Sequence, residues 1–206
     1  MVSLPTLLMV LLMFPAPTVG KQSANRNAPS AIHVRQPGIK DLFADGPAPA
    51  FKDKLMLFGQ FVGDWKIQTQ LFDFKGNVTA KGNGYVHFGW ILYGTAIQDV
   101  WEGSSDPPKH FGTTVRLYDP KIDAWRCTWI TPSEEIVQSL VARKVGADIV
   151  MTSKTINGGY PERWIYSEIT PNSWRWHSEE SHDGGKTWIL TQDTHAQRLD
   201  QEGATD

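Results

Sequence analysis

The sequence predicts an all-β chain: a single antiparallel meander that closes into a barrel of about ten strands, preceded by one short helix. Three observations carry this. Runs rich in β-branched and aromatic residues recur every ~8–12 residues from Asp64 to Arg198, separated by turns bearing Gly, Pro, Asn and Asp. No helix-length apolar period appears between residues 64 and 198. Nine tryptophans fall partly in strand-spaced pairs, Trp125 with Trp129 and Trp174 with Trp176, which suits a filled barrel or an aromatic-lined pocket. A long meander protects its edges by closing on itself, so a barrel is favoured over an open sheet; a sandwich is the structural alternative.

Residues 1–20 read as an export signal. Leu4–Phe14 is mostly apolar, and Pro15, Pro17, Thr18 and Gly20 follow, which suits cleavage after Gly20. The segment is shorter than the ~20 apolar residues a bilayer span needs. It lacks Lys and Arg before the apolar run, so an N-terminal anchor or a misplaced start is the alternative. The expected location is secreted or periplasmic, with no integral membrane segment after cleavage. Residues 21–47, rich in Pro, Ser, Asn and Ala, read as a flexible leader. The barrel is expected over 48–199 and a tail over 200–206.

The spacing of Phe51, Leu55, Phe58 and Val62 predicts a helix over 49–62, with Pro49 near its start and Gly59 weakening it. Such a helix would close one end of a barrel. The predicted strands are Trp65–Phe72, Thr79–Trp90, Thr95–Trp101, Phe111–Tyr118, Ala124–Ile130, Ile136–Arg143, Ile149–Lys154, Arg163–Ile169, Trp174–Glu180 and Trp188–Arg198. Glycines inside the second run mark bends or bulges that a closing barrel needs.

Composition narrows the functions. The formal net charge is −2 with no basic or acidic block, so a nucleic-acid partner is not expected. The single cysteine, Cys127, excludes an internal disulfide. It reads as a small buried residue, with pairing between chains of a homodimer as the alternative. A barrel of roughly 150 residues buries enough surface without a disulfide.

Polar residues within apolar strands are the candidate site. Asp99 lies between Ile97 and Trp101, Arg116 within Thr114–Asp119, Arg163 before Trp164, and Glu180 after Trp176 and Ser178 by alternation. A buried charge needs a partner, and paired charges can orient a ligand or poise a carboxyl for proton transfer. One reading is a binding protein whose lumen holds a partly apolar small molecule, walled by Trp90, Trp125, Trp129 and Trp176 and oriented by Arg116, Asp99 and Arg163. A second is an isomerase, cyclase or lyase with Asp99 or Glu180 transferring protons, Tyr118 as an acid and Arg116 or Arg163 stabilising an anion. A third is a filled barrel that serves as an interaction module.

Other motifs weigh less. Ser181-x-Asp183-x-Gly185-x-Thr187-Trp188 has the Asp-box pattern, whose physics is that of a tight hairpin, and it occurs once. Asn77-Val78-Thr79 fits a glycosylation sequon. The six histidines form no ligand pair, so no metal or cofactor is expected. A haem-binding barrel is a further alternative, with His195 the candidate by position, although strand alternation turns it outward. No Gly-x-Ser-x-Gly and no phosphate-cradling glycine loop occurs.

Gly63-Asp64-Trp65, the helix before it and the closing Arg198 resemble the lipocalin or calycin superfamily, where a C-terminal basic residue packs over that Trp. The second lipocalin motif, Thr-Asp-Tyr, is absent. Residues 50–198 are similar to an uncharacterised bacterial lipocalin-like family in three places. These are the Phe61-Val62-Gly63-x-Trp65 opening (with Phe one residue nearer than in the family), the hairpin from Gly112-Thr113-Thr114-Val115-Arg116 to Trp125 and Trp129, and the turn Ser181-x-Asp183-Gly184-Gly185-x-Thr187-Trp188. The resemblance implies a calycin-like barrel and carries over no catalytic residue.

Overall fold

The protein is seen in a computed structural model that describes residues 38–153 and 159–199. The export-signal reading, the leader up to residue 37, Lys154 and the tail from residue 200 lie outside the described residues. A 3₁₀ turn (Ile39–Leu42) leads into β1 (Phe43–Ala44) and α1 (Lys52–Gly59). Ten strands follow: β2 (Gly63–Phe72), β3 (Val78–Ile91), β4 (Ala96–Gly103), β5 (Phe111–Asp119), β6 (Ala124–Thr131), β7 (Ile136–Val145), β8 (Asp148–Ser153), β9 (Glu162–Ser167), β10 (Ser173–Glu180) and β11 (Ile189–Arg198). Each matches a predicted run to within two residues at either end.

Every neighbouring pair is antiparallel. The sheet order runs β3-β2-β11-β10-β9-β8-β7-β6-β5-β4, and β3 pairs with β4, so the ten strands form a closed calycin-like barrel. The leader contributes one element that composition did not reveal. β2 ends at Gly63 opposite Phe88, and β1 takes up the free edge of β3 beyond it, with Phe43 opposite Ile91 and Ala44 opposite Trp90.

α1 is shorter than predicted. It begins after Phe51, whose left-handed conformation (φ 62°) turns that side chain out to solvent. Beyond Gly59 the chain tightens, with the Phe61 N–H donating to the Phe58 carbonyl (3.0 Å). Leu55 and Phe58 are buried as the apolar stripe requires, but Phe61 rather than Val62 completes the buried face. Gly59 has a packing reason: a Cβ there would stand 2.6 Å from the Trp90 ring.

The rings of α1 and its following turn plug one end of the barrel. Phe58 meets Trp125 edge-on at 5.0 Å, Phe61 lies 5.0 Å from Tyr166, and Trp65 meets Trp174 at 5.6 Å. The Trp65 indole N–H donates to the Phe61 carbonyl (2.7 Å), and the Arg198 guanidinium stacks 4.0 Å over the same indole. Arg198 also donates to the carbonyls of Pro171 (2.7 Å), Val62 (2.9 Å) and Gln60 (3.1 Å). Gly63 permits this closure. Its φ is +121°, and a Cβ there would stand 2.8 Å from Arg198 Nη1.

The Asp-box is a hairpin turn at the opposite end. Asp183 accepts the N–H groups of Lys186 (2.9 Å) and Thr187 (2.8 Å) and the Thr187 hydroxyl (2.7 Å). The bonds from Thr187 dominate in holding its pKa down at about 2. Gly184 and Gly185 take positive φ, 76° and 91°.

Candidate functional site

Strand alternation sends one residue in two into the barrel. Toward the α1 end these residues pack solid. Toward the other end they enclose a cavity of about 300 Å³. Its lower walls are Ile67, Val86, Phe88, Tyr166 and Trp174, and its upper walls are Trp101, Trp129, Trp164 and Trp176. The upper indoles brace one another: Trp129 meets Trp164 edge-on at 6.2 Å, and Trp164 meets Trp176 at 5.4 Å. Trp129 reaches this position because Gly112 lies beneath it, where a Cβ would stand 2.3 Å from its ring.

Two polar groups interrupt the aromatic wall. The deeper is an ion pair. Asp99 on β4 and Arg116 on β5 both point inward, and Arg116 Nη2 donates to Asp99 Oδ2 at 2.7 Å. Asp99 Oδ1 accepts the Thr114 N–H (2.7 Å), and Arg116 also donates to the Tyr166 hydroxyl (3.1 Å) and the Thr114 carbonyl (3.3 Å). The guanidinium lies between the rings of Phe58 (5.1 Å) and Phe88 (5.3 Å). Burial is the largest single influence and opposes the Arg116 charge, yet Asp99, Tyr166 and Cys127 together outweigh it and raise the pKa. Burial pushes the Tyr166 hydroxyl and the Cys127 thiol each up to about 12. Cys127 is therefore an inert, buried thiol that cannot reach a second chain.

The shallower group centres on Glu162. It accepts the Gln138 amide (2.7 Å) and the Ser178 hydroxyl (2.7 Å), one on each carboxyl oxygen. Burial raises its pKa, side-chain hydrogen bonds from Gln138, Trp164 and Ser178 oppose the shift, and the charge of Glu180 adds to it. Glu180 is the residue directly across from Glu162 on β10. His182 lies 3.2 Å from Glu180 at the rim. No Lys or Arg forms an ion pair with Glu162 among the described residues. Two buried donors on cavity-lining residues are without partners among the described residues: Arg116 Nε and Trp174 Nε1.

Of the residues chosen from sequence, the fold brings Asp99, Arg116, Trp129, Trp176 and Glu180 to the cavity. It places four others elsewhere. Trp90 packs against Gly59 of α1, and Trp125 lies in the plug against Phe58. Tyr118 sits at the α1 end, where its hydroxyl donates to Asp123 (2.6 Å), and that bond pushes its pKa up. Arg163 is on the outer face, paired with Glu179 and stacked 4.2 Å from the Trp188 ring. His195 is exposed on the outer face beside Asp193, and no histidine among the described residues lines the cavity. Among the described residues no three His, Cys, Asp or Glu are arranged to hold a metal ion, and no helix is long and apolar enough to cross a membrane.

Glu162, Trp164, Tyr166 and Trp101 were missed. Parity is the signal that finds the first three: if Trp164 points inward, so do residues 162 and 166, and Arg163 points out. Asp99 offers little as a proton-transfer group, because the buried Arg116 guanidinium pairs with its carboxylate at 2.7 Å.

No family model matches the chain, and no curated protein matches it. Among solved structures, the S-type phycobiliprotein lyase CPES from Guillardia theta aligns with a TM-score of 0.48 and 14% identity, over 74% of this chain and 98% of that one.

Proposed function

We propose that this protein is an exported small-molecule-binding barrel whose lumen holds a partly apolar ligand that carries a hydrogen-bond acceptor. The observation behind this reading is the cavity of about 300 Å³, left hollow in a barrel otherwise packed with aromatic rings. Small-molecule sites are concave, mostly apolar and furnished with a few placed polar groups. The unpartnered N–H groups of Arg116 and Trp174 supply such groups and seek an acceptor. The three motifs shared with the bacterial lipocalin-like family support placing the chain near that family.

The test is to fill the hollow. Gln192 lines the cavity from β11 and makes no side-chain hydrogen bond within it among those described. Phenylbutanol, a neutral probe with an aromatic body, is expected to perturb the fluorescence of the lumen tryptophans in saturable fashion. Gln192→Trp is expected to abolish that response while the melting temperature is retained. An unchanged response in the variant places the probe outside the lumen and overturns the reading.

Export is supported by the apolar run Leu4–Phe14 and the small residues after it. N-terminal sequencing of the protein from its native host is expected to begin after Gly20; retention of Met1 rejects it.

A second reading, acid–base catalysis on the same scaffold, is favoured by one observation. Glu162 is a buried carboxyl with a raised pKa on the cavity wall, the environment in which general acids are tuned.

A further inference from the structure

The sign of charge at the cavity's mouth is unbalanced. Glu162 and Glu180 face each other across β9 and β10, both on the inner side. Like charges directly opposed on a sheet face repel. Glu134, in the turn between β6 and β7, also lines the mouth, with His110 4.0 Å from it. The only buried cation in the lumen among the described residues, Arg116, is deeper and is already neutralised by Asp99. The nearest outer-face cation, Arg163, is held by Glu179 and capped by Trp188. His182 engages Glu180 but stacks flat on Tyr160 at 3.9 Å, outside the hollow.

The walls around these acids are indole faces. Trp129, Trp164 and Trp176 stand edge to face around the same space. The faces of aromatic rings carry negative quadrupole density and attract a cation in a desolvated site. Trp164, only 8% exposed, turns its indole N–H toward the Glu162 carboxyl, so this acid is met by neutral donors and by no cation among the described residues. A burial-raised pKa on Glu162 fits the same picture, because a carboxyl without a counterion is relieved when one arrives.

We infer that the lumen takes an organic cation, an amine or ammonium head seated between the Glu162 and Glu180 carboxylates and the Trp129–Trp164–Trp176 walls, with its apolar body directed down toward Arg116. This rests on the carrier reading and specifies the polar end of its ligand. An anionic ligand is disfavoured, because three carboxylates at the mouth oppose its passage. The acceptor-seeking donors Arg116 Nε and Trp174 Nε1 lie with the body, on residues that contact Phe88.

Three probes that share one body and differ in their head decide the matter: phenylbutylamine, phenylbutanol and phenylbutyrate. Binding is measured by calorimetry at pH 8 on the full-length protein. The amine is expected to bind at least tenfold more tightly than the alcohol, and the acid most weakly. Glu162→Gln is expected to bring the ratio of amine to alcohol affinity close to one; Glu180→Gln is expected to reduce that ratio in part. Melting curves confirm that both variants fold. Equal binding of amine and alcohol, or an amine preference that survives both substitutions, overturns the inference and leaves the carrier reading intact. Failure of all three probes to bind overturns both.

Discussion

The two halves of this barrel share their strands and their chemistry, yet one is solid and the other hollow. In the closed half, Phe58, Phe61, Trp65, Trp125 and Trp174 interlock beneath α1, and the first four are at most 2% exposed. In the open half, Trp101, Trp129, Trp164 and Trp176 bring rings of the same kind but surround a space of about 300 Å³. Residue type does not explain the difference, because both halves are rich in indoles. What differs is the third partner. α1 inserts Phe58 into the closed end from outside the sheet, whereas no helix among the described residues covers the mouth and its inward positions alternate with Glu162, Gln138, Ser178 and Glu180. A barrel wall alone makes a tube; an inserted ring makes a core.

Truncating one ring in each half would sharpen this contrast. Phe58→Ala is expected to cost ~3–5 kcal/mol, because it removes a ring packed on every side and uncovers the Arg116 guanidinium. Trp176→Ala is expected to cost less, since part of its indole already faces the cavity and leaves fewer packing contacts to lose. Urea denaturation monitored by circular dichroism measures both. Equal losses would break the distinction between core and wall.

Glu162→Gln probes the open half with a smaller effect of the opposite sign. The folded pKa of Glu162 is raised above its ordinary 4.5, so the native state holds this proton more tightly than the unfolded state does. Stability therefore falls as pH rises through the interval between the unfolded and folded pKa values, and above it the charged carboxyl is a standing cost. The amide is expected to raise the melting temperature by about 2–4 °C at pH 8, the shift that ~1 kcal/mol gives in a chain of this size. At pH 4 the difference is expected to vanish. A variant that is less stable at pH 8 would mean that the Gln138 and Ser178 bonds outweigh the burial of charge.

Most of the architecture was legible in the sequence because it is locally encoded. Alternation and turn residues located every barrel strand, and Gly63-Asp64-Trp65 with Arg198 announced the closure that the coordinates show. β1 was not legible, because two residues carry no period and gain strand geometry only from the free edge of β3. The site was read less well, for two separate reasons. Arg163 was chosen for standing beside Trp164, although parity sends neighbours to opposite faces. Trp90 and Trp125 point inward as expected, but how deep a ring lies depends on the stagger of the strands and on how far α1 penetrates, and neither is written in any single segment.

The clamp of Arg198 on the carbonyls of Gln60 and Val62 has a consequence for biosynthesis. The last strand of the barrel to leave the ribosome is the one that pairs with the first, β11 against β2. Until β11 emerges, a nascent polypeptide exposes β2 as a bare edge and leaves the Trp65 indole without its guanidinium lid. Ring closure therefore waits until β11 has emerged, and up to that point the cylinder keeps an open seam between its first and last strands.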